Sequence, residues 1–355
     1  MDPVAVPGGV SFRGTWETCY RANLWSRIAS RVLWQVHAFE YRSEDDIYAR
    51  ARALDWPRFF AVERSLRVNL TAQKSPLRSL EFATLRIKDA VCDRFRDAVG
   101  RRPDVERAAP DVRVHAFLEK DKGTLYLDTS GEPLFKRGWR AGQGEAPLRE
   151  NLAAGIVMLS GWQPGEPLLD PMCGGATLLV EAAAMARGRA PGAKRSFGFE
   201  KLAAFDSALW DRVKREKAQT VSEARLYGSD TDSKALAAAR RNLAAAGVER
   251  WVELEQSDVL ERAAPAAAGV MIANPPYGER LGRADELARF YPKLGDALKK
   301  RFAGWRCHLF TADLRLPKLI RLEPSRRIPL WNGALECRLY EFEMVAGPRR
   351  RPKRA

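Results

Sequence analysis

The second half of the sequence repeats one pattern, in which a short apolar run is followed by a turn and then by a helix-forming segment. After residue 165 the apolar runs are "PLLD" (167–170), "RLYGSD" (225–230), "WVELEQSD" (251–258), "GVMIANPP" (269–276) and "RCHLFTA" (306–312). Alternating β and α units at this spacing build a parallel sheet covered by helices. A last pair of strands, ending in "ECRLYEFEM" (336–344), is predicted to be antiparallel. We therefore expect an α/β fold with a Rossmann-like, mostly parallel sheet.

Four successive predicted strands each end in a polar residue. Asp170, Asp230, Asp258 and Asn274 follow the first, second, third and fourth of them. In sheets of this type ligands bind at the carboxyl ends of the strands. The sequence therefore predicts that these four side chains line one binding site.

The first strand is followed by Cys173-Gly174-Gly175-Ala176, which we call the glycine turn. Glycine lacks the Cβ atom that would keep a ligand away from the backbone. Asp230, one βα unit later, is suited to accept hydrogen bonds from both hydroxyls of a ribose, and Asp258 from an adenine amino group. The turn matches neither GxGxxG nor the P-loop pattern, which disfavours NAD and ATP phosphates. These features favour a different nucleoside-containing cofactor.

The fourth strand ends in "NPPYG", with Asn274, Pro275, Pro276 and Tyr277 in sequence. Proline has no N–H and a fixed φ, so two consecutive prolines continue neither a β-ladder nor a helix. They form a rigid extended segment that presents an amide side chain, carbonyl groups and an aromatic ring. On these residues alone, a turn that merely ends the strand and a binding segment remain equally open.

The first 140 residues have a different pattern. A helix is predicted in "SLEFATLRIKDAVCDRFRDAV" (79–99), and a hairpin in "VRVHAFL" (112–118) and "TLYLDT" (124–129). This combination indicates a small α+β module. "RAGQGEAPLRE" (140–150) is a plausible linker to the α/β region.

The charge of the chain favours a polyanionic partner. The formal net charge is +15 and the pI is near 9.8. "FKRGWR" (135–140) places Lys136, Arg137 and Arg140 among aromatic residues, where they are candidates for RNA phosphate contacts. The alternative for such a segment is an ordinary solvated surface. The basic end of the chain, 347–355, is predicted to be disordered.

Composition argues against several other classes of protein. The chain has five cysteines without a CxxC pair and three histidines without zinc-ligand spacing, so no metal site is expected. No apolar stretch approaches the roughly 18 residues of a membrane span, and no secretion signal is apparent, so we expect no membrane partner and a cytoplasmic location. A metallohydrolase or a Ser-His-Asp enzyme is disfavoured.

Several motifs together resemble one known family. "LLDPMCGGATLLVEAA", "GSDTD", "QSD" and "NPPYG" look like the cofactor and catalytic motifs of class I S-adenosylmethionine-dependent methyltransferases that act on exocyclic amino groups. "PDVRVHAFLEKDKGTLYLDTSGEPLFKRGWR" resembles the THUMP RNA-binding module and its exit. "APLRENLAAGIVMLSGWQPGEPLLDPMCGG" is similar to bacterial large-subunit ribosomal RNA guanine-N2 methyltransferases of the RlmL type. The resemblance covers nearly the whole chain.

The resemblance implies a domain organisation and an activity. It implies a partial ferredoxin-like element at 1–60, a THUMP module at 61–140 and a class I methyltransferase domain at 141–346. The implied reaction is methyl transfer from S-adenosylmethionine to the 2-amino group of a guanosine in 23S ribosomal RNA.

It also implies roles for individual residues. Asn274 Oδ1 and the Pro275 carbonyl would accept the two N–H groups of the guanine amine, while Tyr277 stacks on a base taken out of its helix. Pro276 completes the predicted catalytic segment. The implied cofactor-binding residues are Asp170, Cys173, Gly174, Gly175, Thr177, Asp230, Asp258 and Asn274.

The sequence departs from the family pattern in two places. The family usually has GSGT where this chain has Gly175-Ala176-Thr177, so a methyl group occupies a glycine position. If that position needs a positive φ, the cost is on the order of 1 kcal/mol. Relatives also have a strand and a helix before the equivalent of "GGVSFRG", so the N-terminal element is expected to be incomplete.

Other functions remain open at this point. A THUMP-type transfer RNA guanine-N2 methyltransferase would share the fold, the cofactor and the Asn-Pro-Pro-Tyr segment. DNA-adenine and protein-glutamine methyltransferases also have this segment, although the basic N-terminal module disfavours a protein substrate. A non-catalytic RNA-binding or ribosome-assembly protein is the alternative without enzymatic activity.

Overall fold

The computed structural model describes residues 3–140, 148–216, 218, 220, 223–275 and 284–345. Two compact units are present, each made of two segments of the chain. The first unit contains Met1–Leu134 and Pro191–Glu216, and the second contains Phe135–Ala190 and Lys217–Ala355.

The regular elements are numbered in chain order. The strands are β1 (Val4–Val6), β2 (Gly9–Ser11), β3 (Leu33–Glu40), β4 (Leu66–Gln73), β5 (Val112–Glu119), β6 (Lys122–Asp128), β7 (Leu168–Asp170), β8 (Leu226–Asp230), β9 (Val252–Gln256), β10 (Gly269–Ala273), β11 (Trp305–Thr311), β12 (Arg326–Asn332) and β13 (Leu335–Glu343). The α-helices are α1 (Trp16–Trp25), α2 (Glu44–Arg52), α3 (Leu80–Val99), α4 (Glu150–Leu159), α5 (Thr177–Ala186), α6 (Ser207–Lys214), α7 (Ser233–Ala246), α8 (Ala284–Arg301) and α9 (Leu316–Ile320).

The first unit is built on a four-stranded sheet in the order β3-β6-β5-β4. β4 and β5 are parallel and the other neighbours are antiparallel. α3 buries Ala83, Ile87, Ala90, Val91 and Phe95, a spacing that places them on one side of a helix. The helix predicted at 79–99 and the hairpin predicted at 112–129 are confirmed.

Residues 191–216 fold with the first unit, although they follow α5 of the second unit in the sequence. Phe199 and Trp210 pack against Tyr20 of α1, with ring centroids 4.4 and 5.8 Å away. The Gly192 N–H donates to the Leu24 carbonyl at 3.0 Å. The predicted domain boundary near residue 140 had placed this segment in the methyltransferase domain, whereas the structure groups it with the N-terminal unit.

The second unit contains a seven-stranded sheet in the order β12-β13-β11-β10-β7-β8-β9. The strands from β11 to β9 are parallel, whereas β13 is antiparallel to β11 and to β12. The predicted α/β fold with a mostly parallel sheet and antiparallel last strands is confirmed. The chain runs outwards in opposite directions from β7 and from β10, so the crevice between their carboxyl ends is the expected ligand site.

Both faces of this sheet are covered. Val270 and Ile272 of β10 belong to the core formed with α4, α5 and α7. Met271 and Ala273 point to the opposite face, into the core formed with α8 and α9. Because β10 is buried on both faces, its carboxyl end is held in a fixed position.

In the part of the chain that the structure describes, no helix is both long and apolar enough to cross a membrane. All five cysteines are buried. The predicted basic tail at 347–355 lies outside the described residues.

Candidate active site

The glycine turn connects β7 to α5 and is held by hydrogen bonds to the end of β8. The Cys173 N–H donates to the Ser229 carbonyl at 2.9 Å, and the Gly174 N–H donates to Asp230 Oδ2, also at 2.9 Å. The Ala176 N–H closes the turn by donating to the Cys173 carbonyl at 2.7 Å. The predicted residues Cys173 and Gly174 are therefore held at the end of β8, and the side chain of Asp230 takes part directly through its bond to Gly174.

Two residues of the glycine turn have left-handed backbone conformations. Gly174 has φ +50°, and Ala176 has φ 62° and ψ 29°. The left-handed region is strained for alanine, which the family pattern avoids by having glycine there. The side chain of Ala176 is fully buried, so its methyl group packs inside the unit rather than facing a ligand.

Gly175 approaches a residue that the sequence analysis did not identify. Asn242 of α7 donates from Nδ2 to the Gly175 carbonyl at 2.9 Å. A Cβ atom at Gly175 would lie 3.1 Å from that nitrogen, tighter than an ordinary contact. Asn242 therefore holds the turn from the α7 side, a role that no local motif signals because the partners are 67 residues apart.

Asp230 retains acceptor capacity after its contacts within the chain. Oδ2 accepts from the Gly174 N–H, and Oδ1 accepts from the Asp232 N–H at 3.0 Å. Each carboxylate oxygen has two lone pairs, so both oxygens can accept a further hydrogen bond. The side chain is partly exposed at the end of β8.

Asp258 follows the neighbouring strand β9 and is exposed. Its Oδ1 accepts from the Leu260 N–H at 2.9 Å. The Ser257 N–H donates to the Asp230 carbonyl at 3.2 Å, which brings the two predicted cofactor residues to adjacent positions along the carboxyl edge.

Asp170, at the end of β7, is buried, with 2% of its surface exposed. Burial, with a further contribution from the charge of Asp230, raises the pKa of Asp170 from 3.8 to about 8. Oδ1 accepts from the Met172 N–H at 3.3 Å, which opposes the rise. Burial also raises the pKa of the Cys173 thiol, so Cys173 contributes its backbone rather than a thiolate.

Asn274 lies directly after β10 and is partly buried, and Pro275 is buried. Asn274 Oδ1 is buried and accepts no hydrogen bond from the described residues. Leaving a buried acceptor unpaired costs about 1–3 kcal/mol, so such atoms are uncommon without a ligand or water. Pro276 and Tyr277 lie outside the described residues.

The three basic residues predicted to contact phosphate do not share one environment. Lys136 is exposed. Arg137 is buried, with 3% of its surface exposed, and its Nε lies 3.3 Å from Glu181 Oε1. This corrects the prediction for Arg137, because a buried guanidinium paired with a buried carboxylate is not available to a phosphate.

Arg140 is half-buried and connects the linker region to α5. Its Nε donates to Glu150 Oε1 at 2.9 Å, and one Nη lies 3.5 Å from Thr177 Oγ1. Thr177 is the first residue of α5, immediately after the glycine turn. A cavity of about 360 Å³ is lined by residues 135–138, 140 and 148–150. Arg140 therefore lies beside the start of α5, next to the glycine turn, rather than on an open basic surface.

Comparison with known proteins identifies the family. The family model for the RMKL-like methyltransferase domain matches residues 137–341, more than half of the chain. The chain belongs to this family. Models of the THUMP domain and of the RlmL ferredoxin-like domain match residues 41–128 and 1–33.

Two curated relatives agree with this assignment. The ribosomal RNA large subunit methyltransferase K/L of Photobacterium profundum is 40% identical over 351 residues, which are 96% of this chain and 49% of that protein. The protein of the same name from Psychromonas ingrahamii is 40% identical over 97% of this chain and 47% of its own length. The chain thus spans about half the length of these relatives.

The crystal structure of SMU.472 complexed with SAH superposes with a TM-score of 0.88 at 31% identity, covering 98% of this chain and 93% of that one. The family uses S-adenosylmethionine as its methyl donor.

The residues at the carboxyl edge fit this cofactor. S-adenosylmethionine combines a ribose with a positively charged centre, and Asp230 keeps free lone pairs for hydroxyl groups. A nearby positive charge favours the ionised form of a carboxyl group, which suits the buried Asp170. A Cβ atom at Gly174 would meet nothing within 4 Å, so the backbone is open on that side.

Proposed function

We propose that this chain transfers a methyl group from S-adenosylmethionine to the exocyclic 2-amino group of a guanosine in 23S ribosomal RNA. The observation that carries the proposal is the buried Oδ1 of Asn274 at the carboxyl end of β10, for which residues 3–140, 148–216, 223–275 and 284–345 provide no hydrogen-bond donor. It lies at the edge of the sheet that also holds the glycine turn and Asp230. An acceptor with no partner among the described residues, beside a cofactor-binding turn, suits an amine that must be held for methyl transfer.

The amine of guanine needs help to react because its lone pair is delocalised into the ring. In this proposal Asn274 Oδ1 and the Pro275 carbonyl accept the two N–H bonds and turn the lone pair towards the methyl group. S-adenosylmethionine, when bound, supplies that methyl group on a positively charged sulfur that leaves as a neutral thioether. The surplus proton of the methylated amine passes to solvent, since an amide oxygen is too weak a base to keep it.

Positioning and dipoles thus carry the catalysis, and no histidine base is required. The proposal gives Pro276 a structural role, since it stiffens the segment, and gives Tyr277 the role of stacking on the flipped base. Such stacking is worth about 1–3 kcal/mol per base. Asp170, Asp230, Asp258 and the glycine turn would hold the cofactor, with Thr177 at the start of α5.

An RNA substrate is supported by the N-terminal unit and by charge. Residues 41–128 match the THUMP domain, and the net charge of +15 favours a polyanion. The curated relatives are named as ribosomal RNA methyltransferases, which favours 23S ribosomal RNA over transfer RNA. Lys136, the exposed member of the predicted basic segment, is retained as a phosphate contact.

The test is Asn274→Ala. Because the lost hydrogen bond acts mainly in the transition state, single-turnover methyl transfer should slow about 10²–10³-fold, while affinities for RNA and S-adenosylmethionine stay within a few-fold of the parent. Asn274→Asp keeps an acceptor oxygen in the same place and should lose less activity than the alanine variant. If Asn274→Ala methylates RNA at the parental rate, the Asn-Pro-Pro-Tyr segment has no catalytic role and is only a turn that ends β10.

The identity of the RNA is tested separately. Mass mapping of ribosomal and transfer RNA from a strain lacking the gene should show one guanosine methyl group missing from 23S ribosomal RNA. Loss from a transfer RNA instead would select the runner-up substrate, and unchanged RNA would reject the proposed activity.

A further inference from the structure

A second feature lies at the same end of the sheet, in the hairpin formed by β12 and β13. Thr311, the last residue of β11, pairs with Arg338 of β13. β13 begins three residues earlier, at Leu335, so the tip of the hairpin extends past the end of β11. Because β11 is parallel to β10, this tip projects beyond the edge at which Asn274 lies.

One face of this hairpin carries an exposed tryptophan. Trp331 is 59% exposed. Side chains alternate along a strand, so Arg327 and Pro329 lie on the same face of β12 as Trp331. On β13, Arg338 pairs with Pro329 and therefore shares that face. We call Arg327, Trp331 and Arg338 the hairpin surface.

The opposite face of the hairpin is committed to the core. Cys337 and Leu339 of β13 are buried, and Ile328 and Leu330 of β12 pack against the same cluster. On the face of Trp331, Tyr340 of β13 is also buried, in the other core of the unit, so that face is exposed only towards the tip of the hairpin. Trp331 does not supply that burial, so the stability of the unit does not explain a large aromatic side chain at this position.

The two arginines of the hairpin surface differ in how free they are to contact a phosphate group. Arg327 is exposed and makes no salt bridge with the described residues. Arg338 is held in place, since one Nη donates to the Cys337 carbonyl at 2.9 Å and the other lies 2.5 Å from Glu336. Glu336, the carboxylate that holds Arg338, also lies on this face, directly opposite Trp331. An exposed aromatic ring with cations on the same face suits single-stranded nucleic acid, by base stacking and phosphate contact.

We infer that the hairpin surface binds single-stranded RNA next to the nucleotide that is methylated. Trp331 stacks on a base, and Arg327 and Arg338 contact the flanking phosphates. β12 lies three strands from β10, about 14 Å at the usual strand spacing, so the base on Trp331 is a neighbour of the target rather than the target itself. The inference rests on the proposed RNA substrate and adds a specificity-determining contact outside the Asn-Pro-Pro-Tyr segment.

The test measures binding of a short, fluorescein-labelled single-stranded RNA of mixed sequence to the full chain. Trp331→Ala should weaken binding roughly 5- to 100-fold, and Trp331→Phe should restore most of the affinity because a ring is kept. Met158→Ala is the matched control, because Met158 is 56% exposed in the same unit, near the end of α4, and should bind like the parent.

A pair of neighbouring arginines tests the face directly. Arg327→Gln should weaken RNA binding and lower the log–log salt slope by roughly 0.7. Arg326→Gln removes the same charge from an exposed residue on the other face of β12. It should weaken RNA binding and lower the salt slope much less than Arg327→Gln does. If the two arginine variants weaken RNA binding equally, or if Trp331→Ala binds RNA with the affinity of the parent, the hairpin inference is overturned. The proposed function stands in either case. A parent chain that neither binds nor methylates RNA would instead reject the proposed function, and the hairpin inference with it.

Discussion

The turn after β7 and the segment after β10 lie at the same edge of one sheet but differ in how far their polar groups are satisfied. In the glycine turn, backbone N–H groups are paired with Ser229 and Asp230, and Asn242 holds the Gly175 carbonyl. After β10, the buried oxygen of Asn274 has no partner among the described residues.

This difference separates two tasks. A turn held by these hydrogen bonds is already ordered, so a cofactor could bind to it without the cost of ordering the backbone. A buried acceptor without a partner among the described residues is suited to select a ligand that brings a donor. We therefore expect variants of the first region to change cofactor affinity and stability, and variants of the second to change turnover.

The largest effect is expected from Asp170 as the pH changes. Its pKa is raised from 3.8 to about 8 in the folded protein, so between these values the folded chain keeps a proton that the unfolded chain releases. Its contribution to stability is present below pH 4 and is lost as pH rises to about 8, by roughly 1.4 kcal/mol per pH unit. Asp170→Asn should remove this slope, as measured by urea unfolding at a series of pH values.

The control for Asp170 is Asp296→Asn, which changes an exposed carboxylate of α8. It should leave the pH dependence of the parent intact. If Asp170→Asn also retains the parental slope, Asp170 is ionised in the folded protein and the end of β7 is more polar than its burial suggests.

A smaller effect is expected from Asp230→Ala. Removing hydrogen bonds to a charged group should weaken S-adenosylmethionine binding by about 1–3 kcal/mol, measured by calorimetry. Asp232→Ala is a matched control, because Asp232 caps α7 by accepting from the Lys234 N–H at 2.8 Å. That variant should cost about 1 kcal/mol of stability and leave affinity unchanged. If Asp230→Ala binds S-adenosylmethionine with the parental affinity, the end of β8 is not part of the cofactor site.

The smallest effect is expected from Ala176→Gly. Glycine relieves the left-handed backbone conformation but makes the unfolded chain more flexible and removes a buried methyl group, so the free energy of unfolding should change by less than about 1 kcal/mol. Cofactor affinity should stay the same or improve. Gly174→Ala, which adds a side chain at a positive φ, should destabilise by about 1 kcal/mol in the same assay. Clear loss of affinity in Ala176→Gly would show that the methyl group supports the turn.

Much of the second unit could be predicted because its signals are local. Each strand of the parallel sheet is a short apolar run, and Asp170, Asp230 and Asn274 follow such runs directly. The sheet then brings them to one edge by its own geometry. The sequence raised a left-handed conformation of Ala176 only as a condition, and the structure shows that it is present.

Features that depend on distant partners could not be predicted in this way. The segment "FKRGWR" suggests that Arg137 is a surface cation. In the structure it is buried and paired with Glu181, which lies 44 residues later in the sequence. Asn242 is an unremarkable helix residue until α7 packs beside the glycine turn. Trp331 fits a strand, but its exposure follows from which face of β12 meets the core, and the register against β13 determines that.

The return of residues 191–216 to the first unit has a consequence for synthesis. A ribosome completes residues 1–134 well before Phe199 and Trp210 emerge, so Tyr20 lacks its aromatic partners during that interval. The N-terminal unit is expected to reach its final packing only after translation has passed residue 216. A fragment cut at residue 134 should therefore aggregate or be degraded, and rejoining it to residues 191–216 through a short linker should restore a folded unit.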